Sequence, residues 1–203
     1  DPSKPHVHLE GTELLPWYRI MTISDPHNVR AYVLGAWWLL GEGKTDQAFE
    51  FLNEGAENNP DSFVIPDYKG RIYMNWMRQA GLDFDEEMEV QHRDEAITYF
   101  VKASEMALEE RPETFDMRDI DYLNWSLYEE EDAMATVRFA VLLLKNAERY
   151  QEALDLAERG AARFGYISES GEVIEEDGKL RQYAEELESL VGVPIPLARP
   201  EDL

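Results

Sequence analysis

Pro60 follows Pro26 by 34 residues, and the two sit in matching settings, Asp25-Pro26-His27 and Asn59-Pro60-Asp61. Asp25-Pro26 predicts a helix start, because an Asp side chain can cap free amide groups and Pro fits a first turn, where its missing N–H costs nothing. Val29, Tyr32, Val33, Ala36, Trp37 and Leu40 then recur at steps of three and four, which gathers them on one helical stripe that ends at Gly41-Glu42-Gly43. A second helix begins near Thr45 and carries Ala48, Phe49, Leu52 and Ala56 on the same period. Asn58-Asn59-Pro60 stops it, since Pro60 disfavours helix at Asn59. The unit is a helical hairpin, and its recurrence predicts an array of hairpins rather than one mixed core.

The rest of the chain fits an all-α array. Its 203 residues are 44% apolar, enough for a core, and almost no alternating strand pattern appears. No apolar run approaches the roughly 18 residues of a membrane helix, so no direct membrane insertion by this chain is expected. The absence of cysteine excludes disulfides, thiol catalysis and cysteine-bound metal. A net charge of −24 repels nucleic-acid phosphates and anionic lipid, which argues against both as direct partners.

Six segments follow from the period. Residues 1–24 are a polar tail followed by a helix whose Leu14, Tyr18 and Met21 fall, after a 34-residue shift, on Ala48, Leu52 and Gly55. That helix reads as the second half of a hairpin lacking its first, which leaves Leu14, Trp17 and Tyr18 as a candidate subunit interface. Its cover is either another chain or a segment upstream. Residues 25–60 form repeat 1. Residues 61–112 form repeat 2, with Pro66 in its first turn, Gly70-Arg71-Ile72-Tyr73 in its first helix, and Ala96, Tyr99, Phe100, Ala103 and Ala107 on its second. An acidic insertion near 82–93 separates the two, expected as a loop or turn whose Phe84, Met88 and Val90 fold back on the helices, with contact to a partner as the alternative. Residues 113–129 are a second inserted loop, expected to be ordered because Phe115, Met117, Ile120, Tyr122, Leu123, Trp125 and Leu127 are too apolar to remain in water. Residues 130–165 form repeat 3, with Gly165 in place of a terminal Pro. Residues 166–203 hold a capping helix over Asp177–Leu190 and an extended tail, Val193-Pro194-Ile195-Pro196-Leu197.

The hairpin resembles a tetratricopeptide repeat, with Tyr32, Ala36, Leu39, Ala48, Leu52 and Pro60 where that family has its aromatic, Gly, Tyr, Ala, Phe and Pro. Gly70 and Tyr73 form the best local match. The resemblance implies a right-handed α-α superhelix of hairpins and a protein-binding scaffold or adaptor whose groove is lined by the first helix of each hairpin. Its alternative is a structural subunit packed permanently in a larger, membrane-associated complex. The resemblance also suggests a bacterial protein, with an upstream membrane anchor as one explanation of the missing half-repeat.

Aligning Ala36, Gly70 and Val141 places Arg30, Trp37, Arg71, Asn75, Arg138, Lys145 and Asn146 on the inner surface, with Asp67 the one acid there. In a chain with 43 acids and 19 bases, cations gathered on one strip point to an extended acidic or carboxylate-ended peptide as ligand. Arg71 and Arg138 are the expected paired donors, because a guanidinium fork matches a carboxylate, and Trp37 is the expected apolar floor.

No catalytic motif stands beside this binding pattern. The chain has no glycine-rich phosphate loop, no His-Glu-x-x-His and no Gly-x-Ser-x-Gly, so neither an enzyme nor a cofactor is expected. His6, His8 and His27 share no helical face, and Glu129-Glu130-Glu131-Asp132 lacks the spacing of a calcium loop, so no metal site is assigned.

Overall fold

The structure is a computed structural model that describes residues 11–79, 86–109, 125–167, 173–175 and 178–191. Its helices are α1 Gly11–Ser24, α2 Val29–Gly41, α3 Thr45–Asn58, α4 Val64–Gln79, α5 Glu86–Leu108, α6 Trp125–Asn146, α7 Tyr150–Phe164 and α8 Lys179–Val191. Each packs against its neighbours in chain order: α1 on α2, α2 on α3, α3 on α4, α4 on α5, α5 on α6, α6 on α7 and α7 on α8. The described chain is helical apart from one antiparallel pair, β1 Gly165–Ile167 with β2 Val173–Glu175, in which Tyr166 faces Ile174.

Two hairpins share one turn. In the first, Gly43 N–H donates to the Leu40 carbonyl and Lys44 N–H to the Leu39 carbonyl. In the third, Glu148 N–H donates to Lys145 and Arg149 N–H to Leu144, at the positions that the Ala36 to Val141 alignment predicts. Both turns need a left-handed residue, Gly43 at φ 70° and Glu148 at φ 59°. Glycine takes that conformation freely, whereas a side chain at Glu148 costs about 1 kcal/mol. Glu148→Gly is therefore expected to stabilise the chain by about 0.5–1 kcal/mol in urea denaturation. An unchanged or lowered midpoint would show that the turn carries no strain.

Proline and glycine punctuation sets the helix ends, with one shift. Asp25 does not cap α2: its N–H still donates to Met21 at the end of α1, and its Oδ1 accepts from His27 N–H within the turn. The N-cap is Asn28, whose Oδ1 accepts from Ala31 N–H at 3.0 Å. Asn59 caps α3, and its amide donates to both the Gly55 and Pro26 carbonyls, so the two matching proline turns touch.

Small residues seat the large ones. A Cβ on Gly55 would lie 2.7 Å from the Tyr32 ring, one on Gly70 2.7 Å from the Phe100 ring, and one on Gly160 2.8 Å from Val137. Tyr32, Phe100 and Val137 are wholly buried. The Tyr32 hydroxyl accepts from the Asn58 amide, and burial raises its pKa. On α8, Leu180, Ala184 and Leu187 are buried while Glu185, Glu186 and Glu188 face out, as a capping helix requires.

The two insertions differ from expectation. Residues 86–93 are not a loop but the first two turns of α5, where Glu86, Glu87 and Glu89 sit at a helix N-terminus that favours acids. Met88 and Val90 do not fold back; they are exposed. In the second, Trp125 onward belongs to α6, and Phe115, Met117, Ile120, Tyr122 and Leu123 lie outside the described residues, as do Phe84 and the tail 192–203. The short β pair was not expected; its flanking Tyr166-Ile167 and Val173-Ile174 are strand formers set about Ser168-Glu169-Ser170-Gly171.

Candidate functional site

Charge divides along the hairpins. Acid is absent from α2 and limited to Asp67 in α4, while α6 opens on Glu129-Glu130-Glu131-Asp132 and carries none after it. The second helices carry the acids, as Asp46, Glu50, Glu54 and Glu57 do on α3 and Glu152, Asp155 and Glu158 on α7. Arg30 and Arg71 therefore stand on acid-poor helices, and Arg138 and Lys145 on the part of α6 that follows its acids.

The structure gives these cations different surroundings. Arg30 in the first turn of α2 and Asn75 on α4 are exposed. Trp37 is 56% exposed, and its ring stands edge-on to Trp38 with centroids 5.2 Å apart. Arg71 is already engaged: its Nε donates to Asp67 Oδ2 at 2.6 Å, and its guanidinium lies over the Phe139 ring at 5.1 Å. Asp67, 7% exposed, also accepts from the buried Thr136 hydroxyl at 2.8 Å, which ties α4 to α6. Arg138 is half-buried on α6. Lys145 pairs with Glu186 at 2.6 Å and so holds α6 to α8, while Asn146 is exposed at the end of α6. Arg30, Trp37, Arg71 and Asn75 thus belong to the adjoining helices α2 and α4, while the Lys145 charge is directed at the cap.

Sequence reasoning missed Lys69. It is 6% exposed, its ammonium donates to Asn53 Oδ1 at 2.5 Å and lies 5.5 Å from the Tyr99 ring centre. Burial, aided by Lys102, lowers its pKa. Tyr73 stacks on Tyr99 beside it at 5.7 Å and meets Phe49 at 5.5 Å, so this buried cation sits among aromatic faces on α3, α4 and α5. A lysine in the middle of Tyr68-Lys69-Gly70 reads as solvated from the sequence; only the helix phase turns it inward.

At the other end of the array, Leu14 and Tyr18 are half-buried, with the Tyr18 Cβ against Gly35. Trp17 faces away from the core and is 64% exposed.

Some carboxylates elsewhere are held by cations. Glu105, Glu152 and Asp155 line a cleft between α5, α6 and α7, where Arg159 donates to Glu105 and Asp155, and Arg149 to Glu152. These hydrogen bonds lower the pKa of Glu105 and Glu152, which keeps both ionised and poor at proton donation. Among the described residues no group of three His, Asp or Glu side chains could hold a metal ion, and no helix is long and apolar enough to cross a membrane. Compared with the models of known protein families and with curated proteins, the chain matches none, so the reading of its surfaces rests on their own residues.

Proposed function

We propose that the chain is a tetratricopeptide-like scaffold, a right-handed superhelix of hairpins whose first helices bind an extended acidic or carboxylate-ended segment of a protein partner. The observation that carries this reading is the scarcity of acid beside these cations: α2 has no carboxylate, α4 has Asp67 alone and α6 has none after Asp132, whereas α3 carries Asp46, Glu50, Glu54 and Glu57 and no cation. An acidic segment is repelled by most of this surface and attracted to the strip beside Arg30, so the field of the whole protein guides it there. Trp37 supplies the apolar contact that charge alone lacks. Arg71 contributes the part of its guanidinium not taken by Asp67; its side chain is 35% exposed.

The test is fluorescence anisotropy with a labelled poly-glutamate peptide at two salt concentrations. Arg30→Ala and Trp37→Ala are each expected to weaken binding by about three- to tenfold, an effect of about 1 kcal/mol, and both sites are exposed enough to leave folding intact. Salt is expected to weaken the wild type more than Arg30→Ala. Binding unmoved by both substitutions would remove the strip from the reading.

A further inference from the structure

We infer that the outward face of α1 is a self-association surface on which a second copy packs its own α1, placing Trp17, Ile20, Met21 and Ile23 against their equivalents. The phase of α1 fixes what is left outside. Thr22 is 2% exposed, Leu15 joins the core of α2, α3 and α4, and Tyr18 rests on Gly35. On the opposite arc Trp17 is 64%, Ile20 53%, Met21 41% and Ile23 68% exposed. These four lie within seven consecutive residues, so they form one patch rather than scattered contacts, on the order of 400–500 Å² of apolar surface.

Charge selects the occupant. From Leu14 to Ser24 the only ionisable side chains besides Tyr18 belong to Arg19, and Arg19 is paired with Glu54 on α3 and stacked over Phe51. From Leu14 to Ser24 the exposed arc therefore holds neither a carboxylate to desolvate nor an uncommitted cation to attract an acidic ligand; Glu13 precedes it in α1. Two copies, each at −24, repel wherever their acidic helices meet. Joining α1 to α1 brings together two surfaces whose one cation, Arg19, is already paired within its own chain. An anionic membrane would offer the same apolar contact, but an interfacial helix needs a basic rim that α1 lacks.

The geometry also suits a closed pair. A helix packed on its own copy across a two-fold axis uses the same patch twice and stops at two chains. Doubling the patch gives on the order of 800–1,000 Å² of buried area, at the lower edge of specific interfaces, which corresponds to a reversible dimer in the micromolar range.

Sedimentation velocity of the whole chain across micromolar concentrations tests this independently of the peptide strip, because the two respond oppositely to salt. A monomer–dimer equilibrium that tightens as salt rises is expected, since screening relieves repulsion between like-charged copies. Trp17→Glu and Ile23→Lys should each weaken it at least about tenfold with unchanged circular dichroism, both positions being exposed. As the chain has no cysteine, Ile20→Cys gives one reporter thiol, expected to form a disulfide-linked pair under mild oxidant faster than Gln47→Cys on α3. A monomer at every concentration, a dimer that survives both α1 substitutions, or one that Trp37→Ala abolishes instead would each overturn the inference.

Discussion

Phe100→Ala is expected to lower the stability of the chain by about 3–5 kcal/mol, the usual cost of emptying a buried phenylalanine site. The ring is wholly buried, its centroid lies 5.7 Å from that of Phe139, and it belongs to the core shared by α5, α6, α7 and α8. Gly70 on α4 makes its seat, since a Cβ there would lie 2.7, 2.9 and 3.0 Å from three atoms of the ring. Gly70→Ala alone should cost about 1–3 kcal/mol, because the ring has no free side to move into. In the Phe100→Ala background the same change should reverse sign, for the obstruction is gone and alanine is about 1 kcal/mol the better helix former. Urea denaturation of the four proteins measures the coupling. If Gly70→Ala costs the same in both backgrounds, Phe100 is not what the glycine accommodates. Gly35 offers the contrast: its Cβ would come closer, 2.4 Å from Phe51, yet Phe51 is half-buried and can swing outward.

Gly70 shows how far the sequence reaches. With Tyr73 it forms the best local match to the tetratricopeptide pattern, and spacing alone puts Phe100 on the apolar face of the second helix. The ends of α2 and α3 are equally readable, because Gly41-Glu42-Gly43 and Asn58-Asn59-Pro60 act on the local backbone. What escapes is whatever depends on rotation or on partners distant in sequence. Asp25 and Asn28 are both good caps, and the choice falls on Asn28 because Asp25 N–H is still bonded into α1. Glu86 to Arg93 reads as loop by the count of one period, but acids at a helix start let α5 grow backward through the insertion. Tyr18 and Trp17 are adjacent and equally apolar, and the phase of α1 on Gly35 sends one inward and the other to solvent. The cations of the first helices are visible as a composition bias. Their pairing is not, since Asp67 and Thr136 are 69 residues apart.

That pairing carries the second large effect. Asp67→Ala should cost about 2–4 kcal/mol, because the carboxylate is 7% exposed and accepts from two sides, Thr136 Oγ1 at 2.8 Å and Arg71 Nε at 2.6 Å. Removing it withdraws the acceptor from a hydroxyl buried between α4 and α6. Arg71 suffers less, as its side chain is 35% exposed and reaches water. Asp67→Asn should cost less than Asp67→Ala, since the amide oxygen can still accept from Thr136. The same substitution bears on the proposed ligand. Asp67 competes with any incoming carboxylate for Arg71, so its removal should raise affinity for the poly-glutamate peptide while it lowers the unfolding midpoint. Stability and binding moving in opposite directions would identify Asp67 as an internal stand-in for the ligand's carboxylate. If both fall together, Asp67 only builds the surface, and Arg71 takes no part in holding the peptide.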